Sequence, residues 1–239
     1  MTRTRRATVA MLLVGLAIFS SLYSTQAILP TLVHNMGLSS TEAAMTVSAA
    51  TGALALCVVP ASILSERFGR GRILLISAVA ATGVGLIVPL AQEGWQLIAV
   101  RGLQGALLSG APATAMAWLS EELDDKALPR AMGLYIAGTS VGGLTGRLIP
   151  TGLVEISTWR WALLGSALVS LAFAITSWLL LPTQRNFRPK SIHLRTESRA
   201  LLGHWANRDL ALLFLTAFLS MGTFVSVSYT HLTLPTKRI

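Results

Sequence analysis

The sequence predicts an all-α membrane protein, and three observations carry this prediction. Hydrophobic residues make up 53% of the 239 residues, whereas charged residues make up only 12%. The mean hydropathy is +0.63, and a soluble domain of this composition would expose too much apolar surface to water. The apolar residues also gather into seven long runs, each about the length of a helix that crosses a bilayer.

The first run, residues 7–32, is interpreted as a retained transmembrane helix. Three arginines precede it, and a signal peptide begins in the same way. The run is about twice as long as the apolar core of a signal peptide, however, and more runs follow it. Tyr23 and Gln26 place polar groups near its far end, where they need protein or water as partners. Pro30 predicts an end or a kink of the helix.

Six further runs follow, separated by polar connections. Ser40 or Thr41 is the predicted cap of the second helix, with Glu42 in its first turn, where the helix dipole favours a carboxylate. The fifth run is rich in glycine. The predicted helices after the first cover residues 42–64, 73–91, 95–119, 131–153, 160–181 and 210–227.

The basic residues predict the orientation of the chain. The formal net charge is +9, but the basic residues lie between apolar runs, which argues against nucleic-acid binding. With the N-terminus inside, the inner connections hold nearly all of the basic residues outside the runs, and the outer connections hold only Arg160. This asymmetry predicts a cytoplasmic N-terminus in a bacterial inner membrane. The longest polar stretch, residues 182–208, is the predicted cytoplasmic linker.

The last twelve residues, 228–239, do not continue the pattern. The apolar run stops at Val227, and the following Tyr-Thr-His-Leu-Thr-Leu-Pro segment has neither helical nor loop character. We interpret residues 228–239 as a non-native tail translated from adapter sequence. A genuine C-terminal tail is the alternative.

A short charged segment, residues 62–72, separates the second and third runs and predicts a tight cytoplasmic turn. It resembles the loop signature of the major facilitator superfamily, in which an acidic residue and an arginine precede a glycine and further basic residues. Two positions depart from that signature, because Ser62 replaces a glycine and Gly71 interrupts the basic pair. The matching residues are Glu66, Arg67, Gly69, Arg70 and Arg72.

The resemblance implies two six-helix bundles joined by a basic linker. Residues 1–181 would then form the N-terminal six-helix bundle, and residues 209–227 the first helix of a truncated second bundle. The remaining spans are missing, so we expect no transport by these 239 residues alone. In the family the charged loop acts as a conformational latch, which implies that role for Glu66, Arg67 and Arg70. An ordinary topology signal is the alternative.

Two arginines inside the runs are the strongest functional signals. An arginine in the bilayer centre costs about 2.5–3.5 kcal/mol on insertion scales, so it must face a partner or a water-filled cavity. Arg101 and Gln104 match the Arg-x-x-Gln-Gly motif of the family's fourth helix, which implies solute contact or proton coupling. Arg147, Tyr23 and Gln26 are the other predicted pathway residues. Snorkelling of the arginines to the outer interface and helix–helix hydrogen bonding are the alternatives.

Glycines on the fifth helix predict close helix packing. Gly138, Gly142 and Gly146 recur every four residues and share one face, with Gly143 beside them. The family's antiporter motif lies on this helix, but Thr139 stands here where that motif has proline. Packing without a bearing on transport direction is the alternative.

Residues 23–30 and 142–147 resemble the sugar-efflux and drug-efflux branch of the family. This resemblance implies a secondary active exporter and not an enzyme, and the arginines within the runs favour a small polar or anionic solute. Protons are a predicted coupling ion, although no carboxylate lies in the middle of a run. No cofactor, metal or nucleic acid is predicted; the expected partners are the solute, the bilayer and the missing second half. A membrane scaffold or receptor bundle without transport is the alternative.

Overall fold

A computed structural model describes the backbone of residues 1–187 and 208–233, and the side chains of these residues except 221 and 224–233. The chain divides into two compact units, Met1–Lys190 and Ser191–Ile239. Within the described residues the regular structure is helical throughout, which confirms the all-α prediction.

The described part of the first unit forms six helical rods, two of which are interrupted. Two short 3-10 turns, Gln26–Ile28 and Val88–Leu90, extend the first and third rods. The α-helices are α1 (Arg3–Tyr23), α2 (Leu29–Met36), α3 (Ser40–Phe68), α4 (Arg70–Gly85), α5 (Gly94–Leu108), α6 (Gly110–Glu122), α7 (Leu128–Ile156) and α8 (Trp159–Leu180).

Four helical stretches among the described residues are long and apolar enough to cross a membrane. They correspond to the first, second, third and sixth predicted runs. Glycine, threonine and Arg147 make α7 less apolar, although it has 29 residues. The four stretches are Arg3–Met36, Ser40–Phe68, Arg70–Leu90 and Trp159–Leu180.

Two predicted helices are broken in the structure. The first run stops at Tyr23 and resumes as α2, in which Pro30 occupies the first turn, where its missing N–H costs nothing. The fourth predicted span, residues 95–119, is interrupted, because regular helix stops at Leu108 and resumes at Gly110. Pro112 explains the break, since its ring would clash with the carbonyl of Leu108 in a continuous helix.

The cap of α3 lies one residue earlier than predicted. Ser39, and not Ser40 or Thr41, is the N-cap residue. Its hydroxyl accepts a hydrogen bond from the Glu42 amide at 3.2 Å, and the Glu42 carboxylate accepts one from the Ser39 amide at 2.8 Å. This reciprocal capping box satisfies two N–H groups that the helix itself leaves open.

Helix α1 forms the centre of the bundle. It packs against α7 on one side and α8 on another, and α4 also contacts it. Small and medium residues on α1, including Ala10, Val14 and Ala17, are completely buried. A central α1 explains why the polar residues near its break are enclosed by protein.

The second unit is described only by α9, Arg208–Thr233. This helix continues past Val227, where the predicted apolar run ends, so residues 228–233 are helical. Most of the predicted linker, residues 188–207, and the end of the predicted tail, residues 234–239, lie outside the described residues.

Candidate functional site

A fully buried polar cluster is centred on Arg101 of α5. Arg101 is 0% and Gln104 is 1% exposed. The Arg101 Nη1 donates to the Ser21 carbonyl at 3.0 Å and to the Gln104 Oε1 at 2.6 Å. Its Nη2 donates to the Leu22 carbonyl, and its Nε donates to the Thr46 carbonyl at 3.4 Å. One guanidinium thus joins α5 to α1 and α3.

The break in α1 explains why the Ser21 and Leu22 carbonyls are available. The last carbonyls of a helix lack intrahelical donors, and a cation at this end is also favoured by the helix dipole. Since α1 stops at Tyr23, Arg101 acts as a cap for its C-terminal turn. The alternative in which Arg101 snorkels to the outer interface is wrong, because its side chain is enclosed.

Gln104 extends the same cluster to a fourth helix. Its Nε2 donates to the Ser21 hydroxyl at 2.8 Å and to the Ala81 carbonyl of α4 at 3.2 Å. Its Oε1 accepts from Arg101, so the side-chain amide uses both its oxygen and its nitrogen. The cluster therefore holds α1, α3, α4 and α5 together where α1 ends.

A second cluster brings together the other three predicted pathway residues. The Arg147 Nε of α7 donates to the Gln26 Oε1 at 3.0 Å. The guanidinium carbon of Arg147 lies 4.5 Å from the centroid of the Tyr23 ring, which is a cation–π distance. Gln26 is buried, whereas Arg147 and Tyr23 are half-buried. Arg147 is consequently more accessible than Arg101.

The predicted glycine face of α7 lies against α1. A β-carbon at Gly138, Gly142 or Gly146 would lie 2.4, 2.8 or 2.5 Å from a backbone oxygen of α1. Such separations are too short for any side chain, so the two backbones approach as closely as glycine allows. Gly143 lies beside this face, where a β-carbon would be 3.4 Å from the Tyr23 ring.

The charged segment between α3 and α4 is not a turn over residues 62–72, so that prediction is wrong. Helix α3 continues to Phe68, and α4 begins at Arg70. The whole reversal occurs at Gly69, which has φ +101°. Glycine adopts this conformation without the steric cost that a β-carbon brings, so a single residue suffices to separate the helices.

Arg70 is the residue of this segment that links separate helices. Its Nε donates to the Glu121 Oε1 of α6 at 2.5 Å, and its Nη2 donates to the Glu66 Oε1 at 3.4 Å. Arg67 instead lies over the Phe68 ring at 5.5 Å. Arg72 is exposed and has no hydrogen bond or ion pair with another described residue. The structure thus groups Arg70 with Glu66, and not with the other two arginines.

Sequence reasoning missed an acidic anchor at the end of α6. Glu121 also accepts from the Gln184 Nε2 at 3.0 Å, and Gln184 accepts from the Gly71 amide at 3.2 Å. Glu122 accepts from the Asn186 amide at 2.8 Å and forms an ion pair with the Arg3 side chain. The sequence did contain a signal for this anchor, namely two adjacent acidic residues at the end of an apolar run, on the side of the membrane where the basic residues gather.

Comparison with known proteins identifies the family. The sequence pattern of the Major Facilitator Superfamily matches residues 11–236. The chain belongs to the major facilitator superfamily. The match covers more than half of the chain and includes residues 228–236 of the segment that we interpreted as a non-native tail.

Relatives of this major facilitator chain are named as transporters. It is 36% identical over 222 residues to the inner membrane transport protein YnfM of Escherichia coli, covering 93% of this chain and 53% of that protein. It is 33% identical to the uncharacterized MFS-type transporter YybF of Bacillus subtilis, covering 93% and 55%. A gallate transporter of Pseudomonas putida is 27% identical over 160 residues, covering 67% and 36%. The chain therefore spans about half the length of the first two relatives, and the first relative's name supports a bacterial inner membrane location.

Gly71, one of the two departures from the major facilitator loop signature, has a local packing reason. A β-carbon at Gly71 would lie 2.8 Å from the Trp118 Nε1 of α6. Trp118 is completely buried, so a larger residue at position 71 would displace an aromatic core residue. Gly71 therefore allows α4 to begin against α6, close to the Arg70–Glu121 pair.

Proposed function

We propose that this chain forms the N-terminal bundle of a secondary active transporter that exports a small polar or anionic solute by alternating access. The chain spans about half the length of its first two relatives, and this proposal requires the second bundle. The N-terminus is cytoplasmic, as the distribution of basic residues favours. The observation that carries the solute class is the half-buried guanidinium of Arg147 beside the break in α1.

Arg147 is the proposed solute contact. Its Nε is held by Gln26 and its plane lies over Tyr23, so these two residues orient it. The terminal nitrogens make no hydrogen bond or ion pair with the described residues, and a guanidinium binds a carboxylate through two such donors. One relative's name specifies gallate, a carboxylate, which supports an anionic solute.

Arg101 is the proposed positioning residue. Its complete burial and its bonds to the Ser21 and Leu22 carbonyls keep it away from solute. Holding the end of α1 in place sets where Tyr23 and Gln26 lie. In this proposal Arg101 acts on transport through α1 and Gln104, and not by touching the solute.

Proton coupling is proposed to involve the second bundle. The described carboxylates of the first unit lie at helix ends or in connections, as Glu66, Glu121 and Glu155 illustrate. A proton relay at membrane depth uses an ionisable group within a span. We therefore propose that the proton-binding carboxylate belongs to the second bundle.

The proposed cytoplasmic latch is the Arg70–Glu121 pair with Glu66. Arg70 connects the start of α4 to the end of α6 through Glu121, and to the end of α3 through Glu66 on the other side of Gly69. In this proposal the other basic residues of the segment, Arg67 and Arg72, serve only as positive charges that keep the segment on the cytoplasmic side. An Arg70→Gln variant is expected to lower flux more than an Arg67→Gln variant in the same assay.

The test is flux through a reconstituted chimera. Residues 1–187 are joined to the second half of the Escherichia coli relative and inserted in liposomes with and without a pH gradient. Gallate and other small carboxylates are compared with a lipophilic cation. Arg147→Gln is expected to abolish carboxylate flux. Arg160→Gln is the matched control, because Arg160 also makes one hydrogen bond, to the Ala91 carbonyl, and stacks on one ring, that of Trp159.

The outcomes separate the candidate functions. Carboxylate flux that needs Arg147 and responds to the pH gradient supports the proposal. Cation flux that is indifferent to Arg147→Gln would overturn the solute class. A correctly inserted chimera without flux of any tested solute would favour the scaffold alternative.

A further inference from the structure

A basic cleft lies between the N-terminal ends of α1 and α7, apart from the two arginine clusters. Its volume is about 530 Å³, within the range of small-molecule sites. Three cations from different segments line it, together with one carboxylate and apolar residues. The lining residues that matter here are Arg5, Asp124, Lys126, Arg130, Val9 and Leu134.

The cations that line this cleft lack the protein partners that the neighbouring arginines have among the described residues. Arg3 pairs with Glu122, and Arg6 donates to backbone carbonyls at the end of α8. The charged ends of Arg5, Lys126 and Arg130 make no hydrogen bond or ion pair with any described residue. Protein groups therefore satisfy the basic residues beside the cleft but leave those lining it available to a ligand.

The single carboxylate does not neutralise the cleft. Asp124 accepts a hydrogen bond from the Ala127 amide at 3.0 Å, just before α7 begins. Three cations and one anion leave the lining with a surplus of positive charge. The N-terminal ends of α1 and α7 add the positive ends of two helix dipoles. The cleft thus favours an anion with oxygen acceptors, such as a phosphodiester.

We propose that this cleft binds the phosphate headgroup of an anionic phospholipid of the inner leaflet. Val9 and Leu134 give it an apolar side, which suits the glycerol and acyl portion of a lipid and not a free phosphate ion. Basic pockets between transmembrane helices on the cytoplasmic side are suited to such headgroups. The inference rests on the membrane orientation proposed above, but not on transport.

The test is lipid binding to the purified 239-residue chain in neutral detergent. Phosphatidylglycerol is titrated and the bound fraction is measured by native mass spectrometry, with phosphatidylcholine and soluble glycerol phosphate as comparison ligands. Each cation removed should weaken phosphatidylglycerol binding about fivefold, and the triple variant Arg5→Gln, Lys126→Gln, Arg130→Gln on the order of a hundredfold. The charge-retaining pair Arg5→Lys, Arg130→Lys should bind within about threefold of the parent.

The Asp124→Asn variant provides a second test that does not depend on the folding of the triple variant. An asparagine oxygen can still accept from the Ala127 amide, but the cleft gains one unit of positive charge. Phosphatidylglycerol binding should tighten about fivefold. Equal affinity for phosphatidylcholine, an unchanged affinity in Asp124→Asn, or equal binding of glycerol phosphate would each overturn the lipid assignment. Because no flux is measured, failure here would leave the transport proposal standing.

Discussion

Replacing Arg101 by methionine tests whether the buried cluster holds the break in α1. Methionine replaces the apolar stem of arginine but has neither the guanidinium nor any hydrogen-bond donor. The variant removes the bonds from Arg101 to three backbone carbonyls, those of Ser21, Leu22 and Thr46, and to the Gln104 side chain. These acceptors lie in a buried region, so water cannot readily replace the guanidinium.

The magnitude follows from these four hydrogen bonds. Hydrogen bonds within membrane proteins average about 0.6 kcal/mol in double-mutant cycles, which gives a lower limit of about 2 kcal/mol. Removing one partner of a buried charged network costs about 3–5 kcal/mol when the other groups are left without partners. We therefore expect Arg101→Met to lower the free energy of unfolding by about 2–5 kcal/mol.

The assay is reversible unfolding in mixed micelles with increasing sodium dodecyl sulfate, followed by far-ultraviolet circular dichroism. Arg160→Met is the matched control, because it removes an exposed arginine with one backbone bond and should cost less than about 1 kcal/mol. A double-mutant cycle with Gln104→Leu should show coupling of at least about 0.5 kcal/mol. Equal stability of Arg101→Met and the parent would refute the capping role.

Three further substitutions test the packing and the charged end of the bundle. A β-carbon at Gly146 would lie 2.5 Å from the Ser20 carbonyl oxygen, whereas the space at Gly152 is open. Gly146→Val should therefore lower the free energy of unfolding several-fold more than Gly152→Val, as measured in the same unfolding assay. Gly69→Ala should cost about 1–3 kcal/mol in the same assay, because φ +101° and ψ +129° lie in a region that residues with a β-carbon rarely adopt. Glu122→Ala should speed proteolysis of residues 183–187, since the anchoring acceptor for two amides is lost; an unchanged cleavage rate would contradict that anchor.

The sequence predicted the helices well because their lengths and apolar character are local properties. The break at Gly69 was placed too broadly and the break at Ser109 was not predicted, each for a physical reason. Charged residues at 62–72 resembled a loop, yet Glu66 and Arg67 remain helical because they lie at the helix end, where their charges reach water or a neighbour. No break was predicted from Pro112, whose ring acts on the carbonyl four residues earlier, that of Leu108, and so interrupts the helix at Ser109.

Sequence reasoning could identify the two arginines of the candidate site but only some of their partners. The cost of burying an arginine marks Arg101 and Arg147 as functional candidates from the sequence alone. The partners of Arg101 are mostly backbone carbonyls. Every residue has a backbone carbonyl, so a sequence pattern cannot reveal which ones bind Arg101. Gln26 and Tyr23 could be selected as polar residues in an apolar run, and the structure shows that they are the side-chain partners of Arg147.

The two arginines differ in burial, and this difference should separate stability from solute binding. Arg101 is enclosed and satisfied by four described acceptors, whereas Arg147 is half-buried and has one described acceptor and one ring. Arg147→Gln should therefore lower the free energy of unfolding by less than about 1.5 kcal/mol while abolishing carboxylate flux in the chimera. Arg101→Met should lower both. If Arg147→Gln destabilised the bundle as much as Arg101→Met, its effect on flux would be structural, and the assignment of Arg147 as the solute contact would fail.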